Sequence, residues 1–286
     1  INPSPRAAGM VASNAIEGES GALFQNPAGI AKLSGQGDFM FAQNQWIADI
    51  TQNAFAGIYR IEGIGVFGLS WVSMDHGDIY RTTINKDPIS AGFSETGMVN
   101  TDESVISLAY AREITDRFTI GGQAKRVAQT LADTRTDGIA FDLGLLYYTG
   151  YRGSRLSMSI RNFSKEVQYI EQSSQMPLTF KVGLSLDLLQ MGVPSMGDGN
   201  SLLLNSEISH PRDSPEKVDV GIEYWLRDLV AIRVGTGMNY DENNLGAGVG
   251  VNLSHEQLGD LRLDYAYTGY GDILGSVHRI SIGAGF

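Results

Sequence analysis

The chain has no cysteine and only 8 prolines in 286 residues. It also has no apolar run of the roughly 18 residues that a membrane-spanning helix needs. The first absence excludes disulfides, thiolate metal sites and a thiol nucleophile. The last excludes a transmembrane helix but leaves open strands that cross a membrane, whose hydropathy signal is weak. Cations are scarce too: 21 Lys and Arg stand against 32 Asp and Glu, a net charge of -11, and no segment concentrates positive charge. A nucleic-acid surface, which depends on clustered Lys and Arg, is therefore excluded.

The chemistry of a catalytic or metal site is missing as well. His76, His210, His255 and His278 show no i, i+4 spacing, so no metal site is expected. Gly63-Ile-Gly65-Val-Phe-Gly68 has the GxGxxG spacing, but Leu69 to Ser73 behind it alternates like a strand and offers no helix N-terminus to a phosphate. Ser206 and His210 share a strand face but stand two strand steps apart, too far for a nucleophile and its base. Neither an enzyme nor a cofactor is predicted.

What the chain does have is 35 glycines and a mean hydropathy of -0.10, values that suit many short strands and turns. From Gly37 onward, segments of barrel-strand length alternate between apolar and polar residues, separated by turn residues. They are 37–48, 51–60, 63–74, 103–112, 117–131, 136–149, 154–163, 177–187, 201–210, 216–226, 228–239, 244–254, 258–268 and 275–286. That makes fourteen, an even number. Leu178, Phe180, Val182, Leu184 and Leu186 share one face, against Thr179, Lys181, Gly183, Ser185 and Asp187 on the other.

Two architectures fit such strands. In a soluble sandwich the apolar face meets a core and the charged face water; in a membrane barrel the apolar face meets lipid and the charged face lines the interior. Arg161, Lys181, Glu207, Asp219, Glu223, Arg233, Arg262, Asp264 and Arg279 then become lumen residues that pair with one another across strands. Residues 1–36 favour the barrel. Asn26-Pro27-Ala28-Gly29 opens a short helix with an N-cap and a proline at the first helical position, and Ser20 to Gln25 suits one more turn. Such short, small-residue helices need a cavity to occupy.

Turn lengths point the same way. Five connections on one side are brief, while 76–102 and 164–176 on the other are long, the asymmetry of barrels with periplasmic turns and outer loops; 188–200 is a long exception. Tyr147, Tyr148, Tyr151, Tyr224, Trp225, Tyr240, Tyr265, Tyr267 and Tyr270 near strand ends suit interfacial girdles. The last strand places Ile280, Ile282, Ala284 and Phe286 on one face, like the C-terminal assembly signal of outer-membrane barrels. The sequence opens at Ile1 with no apolar leader, as expected of a chain whose signal peptide has been removed.

The expected fold is thus all-β, a 14-stranded antiparallel transmembrane β-barrel (37–286) with an N-terminal helical hatch (1–36) in its lumen. Its expected place is the outer membrane of a Gram-negative bacterium, with both termini periplasmic.

Several segments carry a family resemblance. Arg6-Ala7-Ala8-Gly9-Met10 with Gly21 to Ile30 resembles the hatch of the PorV/PorQ proteins, which are similar to FadL transporters and share their Asn-Pro-Ala-Gly segment. Ile114 to Phe118, Phe141 to Gly144, Met176 to Thr179, His210-Pro211, Gly221 to Trp225, Tyr265 to Tyr267 and His278 to Ser281 extend the resemblance over nearly the whole chain. It implies a docking or shuttle subunit that binds a secreted or surface protein, in the setting of a type IX secretion system. The segment 80–100, with apolar Tyr80, Ile89, Phe93, Met98 and Val99 in an outer loop, is the expected partner contact. The alternative is FadL-like uptake of a hydrophobic ligand, with Asn26, Pro27 and Gly29 as the gate and a lateral opening at Gly63, Gly65 and Gly68 of the third strand. Outer-membrane lipid surrounds the barrel in either case.

Overall fold

The computed structural model describes residues 2–84, 92–132, 134–165, 167–169, 172–195, 197–240, 244–255 and 259–286. Its strands, in chain order, begin with β1 (Gly37–Gln45), β2 (Thr51–Ile61), β3 (Gly65–Asp75), β4 (Ile79–Ile84), β5 (Phe93–Val99) and β6 (Thr101–Thr115). Then come β7 (Phe118–Leu131), β8 (Thr134–Tyr148), β9 (Arg155–Ser164), β10 (Val167–Tyr169), β11 (Gln172–Ser174) and β12 (Thr179–Asp187). The chain ends with β13 (Ser201–Pro211), β14 (Lys217–Leu226), β15 (Val230–Met238), β16 (Asn244–His255), β17 (Gly259–Gly269) and β18 (Ser276–Gly285).

Fourteen of these close into one antiparallel ring, each paired with its neighbour in the ring and β1 paired with β18. They are the fourteen that alternation predicts, with ends shifted by a few residues. The other four form two hairpins, β4–β5 and β10–β11, where the sequence reading expected loops. In β4 the cause is legible: Ile79-Tyr80-Arg81-Thr82-Thr83-Ile84 is almost wholly β-branched or aromatic, and such residues favour pleated backbone.

The direction of the side chains separates the two architectures. Phe39 and Phe41 of β1, Leu69 and Trp71 of β3, Leu108 of β6, Leu143 of β8, Ile232 and Val234 of β15, and Ile280 and Ile282 of β18 all lie exposed on the outside. Between them, Asp38, Asn44, Ser107, Lys125, Asp142, Glu207, Glu223, Arg233 and Arg279 are buried. A water-soluble protein would not present such rows to solvent and hide its charges. A barrel with its apolar belt in hydrocarbon must. Closure also leaves no unpaired edge. At the seam Phe41 faces Ile282, the Phe286 carbonyl accepts from the Gln36 and Gly37 amides, and the Phe286 amide donates to the Gly37 carbonyl.

The segment 2–36 lies inside the ring, touching β1–β3, β6–β8 and β14–β18. It is less helical than expected. Its one α-helix, α1 (Pro5–Met10), lies where none was predicted, capped by the Ser4 side chain. Ser20–Phe24 and Pro27–Lys32 are 3-10 turns; Gly, Ala and Pro in short runs do not sustain a longer helix. The small residues serve close approach instead. After α1 the chain reverses at Val11 (φ 61, ψ -55), a strained conformation for a β-branched residue. This drives the Met10 carbonyl between Gly221 of β14 and Gly235 of β15, where any Cβ would collide with it.

Candidate functional site

The lower interior is an ionic lattice shared between the wall and the inner segment. Arg6 of α1 bridges Glu223 of β14 (2.7 Å) and Glu19 (2.8 Å). Arg233 of β15 joins Glu223 (2.6 Å) to Asp264 of β17 (2.5 Å). Arg262 pairs with Asp38 and lies 3.7 Å from Glu19. Lys181 of β12 meets Glu207 of β13 at 2.6 Å, and the other Glu207 oxygen accepts the Ser13 and Asn14 amides at 2.7 and 2.8 Å. Burial pushes the Glu19 carboxyl up, but Arg6 and Arg262 outweigh it and hold the group below the ordinary carboxylate range.

Of the nine lumen residues named from sequence, Glu223, Arg233, Asp264 and Arg262 fall in this one network, and Lys181 and Glu207 form a second pair. Arg161 lies 3.9 Å from Asp142, Asp219 accepts from the Tyr240 hydroxyl at 3.2 Å, and Arg279 meets no carboxylate among the described residues. Sequence reading missed Arg6, Glu17, Glu19, Asp38, Lys125, Asp142 and Arg155. Alternation would have placed Asp38 and Asp142 inside, and Arg6 and Glu19 stand out as charges in a segment of small apolar residues.

The predicted gate residues sit against the wall. Asn26 caps its turn by accepting the Ala28 amide (3.1 Å), while its Nδ2 donates to the carbonyls of Asn14 (3.1 Å), Leu145 of β8 (3.2 Å) and Met158 of β9 (3.4 Å). Behind this turn the wall has almost no side chains. A Cβ on Gly121 of β7 would meet the Pro27 carbonyl carbon at 2.5 Å and the Ala28 nitrogen at 2.6 Å, and one on Gly144 of β8 would strike the Asn26 side chain. Gly29 packs against Ile16, and its carbonyl accepts the Gly18 amide at 3.0 Å.

On the outer face of the same patch Gly122 leaves an apolar hollow of about 420 Å³, ringed by Tyr110, Ile120, Leu143, Met158, Ile160 and Phe180. It adjoins a second, of about 590 Å³, with which it shares Tyr110, Gly122 and Leu143. At the rim the β8–β9 ladder slips between Phe141 and Leu143. Asn162 takes φ 62 and donates its amide to Asp142 at 2.7 Å, and Lys125 lies 2.7 Å from the same carboxylate. This bulge corrects the expectation of a break at the third strand. β3 pairs with β2 and β6 without a slip, and Gly68 there makes room for Leu23.

The end of the ring opposite the C-terminus holds a different space, and Asn2 lines it, so the two ends of the described chain do not share one side as expected. A cavity of about 350 Å³ lies between the inner segment and Trp46, Tyr240 and Tyr270, lined also by Arg161, Lys181, Asp219 and Arg279. Tyr240, Tyr270 and Tyr148, whose hydroxyl bonds Glu17, therefore serve the interior rather than an outer girdle, while Tyr147, Tyr265 and Tyr267 lie exposed on the outside. Beyond this mouth the β4–β5 hairpin exposes Tyr80, Phe93 and Met98, with Val99 half-buried; Ile89 falls outside the described residues. Ile280, Ile282 and Phe286 point outward. Among the described residues no group of three or more His, Asp or Glu could hold a metal ion.

No protein-family model matches the sequence, and no curated protein does. Solved structures match the fold. A FadL homologue of Pseudomonas aeruginosa aligns over 99% of this chain and 98% of its own at 12% identity, TM-score 0.61. The monoaromatic hydrocarbon channel CymD aligns over 99% and 97% at 11% identity, TM-score 0.63. The toluene transporter TodX of Pseudomonas putida aligns over 95% of each chain at 11% identity, TM-score 0.59. The chain thus has the fold of FadL-type barrels, closed by fourteen antiparallel strands.

Proposed function

We propose that this protein is an outer-membrane channel for small hydrophobic molecules, with residues 1–36 as its hatch, 37–286 as its barrel and the C-terminal end of the ring facing the periplasm. One observation carries the reading: the apolar hollow over Gly122 is separated from the Asn26–Ala28 turn by glycine backbone alone. A molecule dissolved in hydrocarbon finds there an apolar seat, a wall one sheet thick, and an inner turn whose shift would open a sideways path. The β8–β9 bulge weakens the ladder beside it. The chains of like fold that are named for hydrocarbons and toluene agree with this role.

The test fills the seat without disturbing the hatch. A Cβ at Gly122 meets nothing closer than 3.6 Å, so Gly122→Leu folds and occupies the hollow. In proteoliposomes the protein should speed the movement of toluene above the lipid background, and Gly122→Leu should remove most of that gain. Equal flux through both would reject the wall path.

A second reading, docking of a protein partner as in the PorV/PorQ proteins, is favoured by the exposed Tyr80, Phe93 and Met98 on the β4–β5 hairpin. Deleting residues 80–100 would then abolish co-purification of a surface protein from native membranes while the barrel still assembles. A link to type IX secretion rests on the sequence resemblance alone.

A further inference from the structure

We infer that the cavity at the mouth opposite Phe286 is a binding site for a small hydroxylated organic anion, of the class of the sugar acids. It lies apart from the apolar hollow in the wall, and the inference does not depend on passage of hydrophobic molecules.

Arg279 carries the argument. It is 2% exposed, yet no carboxylate of the described residues lies within ion-pair distance, whereas Arg6, Lys125, Arg155, Lys181, Arg233 and Arg262 each have one. Its guanidinium donates to the Thr268 hydroxyl (2.7 Å) and the Asn2 carbonyl (3.3 Å) and stands 5.3 Å from the Trp46 ring. Neutral partners and a ring face orient a buried cation without cancelling its charge, and an unpaired buried charge is costly. A carboxylate entering the cavity removes that cost, and a fixed planar fork receives it in two-point geometry.

The charge balance sets the ligand's charge. Arg161, Lys181 and Arg279 line the cavity together with Asp219. Glu207 already neutralises Lys181 at 2.6 Å, and Asp142, shared with Lys125, lies near Arg161 at 3.9 Å. Among the described residues the surplus is about one positive charge, which suits a monoanion. The remaining lining sets its body. Ser13, Gln25, Asn244, Thr268 and the hydroxyl of Tyr240 offer neutral donors and acceptors, which hydroxyl groups match and a hydrocarbon tail does not. Trp46 and Tyr270, with ring centroids 5.6 Å apart, add flat faces for the C–H side of a polyol or sugar ring.

Three six-carbon or simple anions separate the possibilities: D-gluconate, hexanoate and chloride, each titrated calorimetrically into the full chain in detergent at low salt. Gluconate should bind, hexanoate should bind at least tenfold more weakly, and chloride should compete only at high concentration. Arg279→Gln should weaken gluconate at least tenfold. Because a buried arginine is altered there, Trp46→Leu, in the β1–β2 turn, serves as a second variant and should weaken gluconate severalfold. Hexanoate binding as tightly as gluconate would overturn the hydroxylated class, and chloride saturating the site equally well would reduce it to a generic anion site. No gluconate binding to the unaltered chain, or binding unchanged in both variants, would overturn the site altogether.

Discussion

Replacing Arg6 by Met tests whether ion pairs hold the inner segment in the ring. The change keeps most of the side chain's volume and removes a guanidinium that contacts Glu223 through two nitrogens at 2.9 and 2.7 Å and Glu19 at 2.8 Å. Breaking a buried pair by removing one partner costs about 3–5 kcal/mol. Glu223 keeps Arg233 at 2.6 Å and Glu19 keeps Arg262 at 3.7 Å, so the lower figure, about 3 kcal/mol, applies. Because each 1.36 kcal/mol is about tenfold, the segment's open population should rise roughly a hundredfold or more. The natural absence of cysteine makes the readout clean. Ser13→Cys, at a position 2% exposed, should react with maleimide slowly in the parent and roughly a hundredfold faster with Arg6→Met, by the same conversion. Adding Glu223→Gln should recover part of the protection, since it removes the charge left short of a partner. Labelling unaffected by Arg6→Met would refute the idea that this lattice retains the segment.

Two further outcomes follow from the same geometry. Glu19 has its folded-state proton affinity lowered by Arg6 and Arg262, so its stabilising contribution is full above the unfolded value near 4.5 and is lost as pH falls below it; labelling at position 13, divided by that of a free thiol at the same pH to remove the loss of thiolate, should rise below about pH 4.5, and Glu19→Gln should flatten that acid dependence. Gly121→Ala, whose Cβ would meet Pro27 and Ala28 backbone at 2.5–2.6 Å, should cost about 1–3 kcal/mol in urea unfolding, while Gly122→Ala next to it changes little; equal effects would place the thin wall elsewhere.

The candidate site is only partly legible in the sequence. Asn26 and Pro27 were readable because capping is local: the Asn side chain reaches its own turn. That the same amide also reaches Leu145 and Met158 depends on which strands come round to face it. Gly63, Gly65 and Gly68 mark the third strand in the sequence, yet a row of glycines reads alike whether it loosens a ladder or admits Leu23. The real slip, at Phe141 and Leu143, has no glycine within it. It is formed by Asn162, a residue that tolerates positive φ.

By itself, the order of residues determined the fourteen strands and the face each side chain takes, because in a pleated strand direction alternates with every residue whatever lies beside it. Which of the two faces looks inward, so that the interior is ionic and the outside apolar, only the closed ring decided. The ring also decided which charges meet, as with Arg6 and Glu223, which lie 217 positions apart, and which cation, Arg279, is left without a carboxylate among the described residues. It alone decided where the wall thins to backbone. Those outcomes depend on the stagger of strands around a closed barrel and on a chain folded within it, and neither is a local property of sequence.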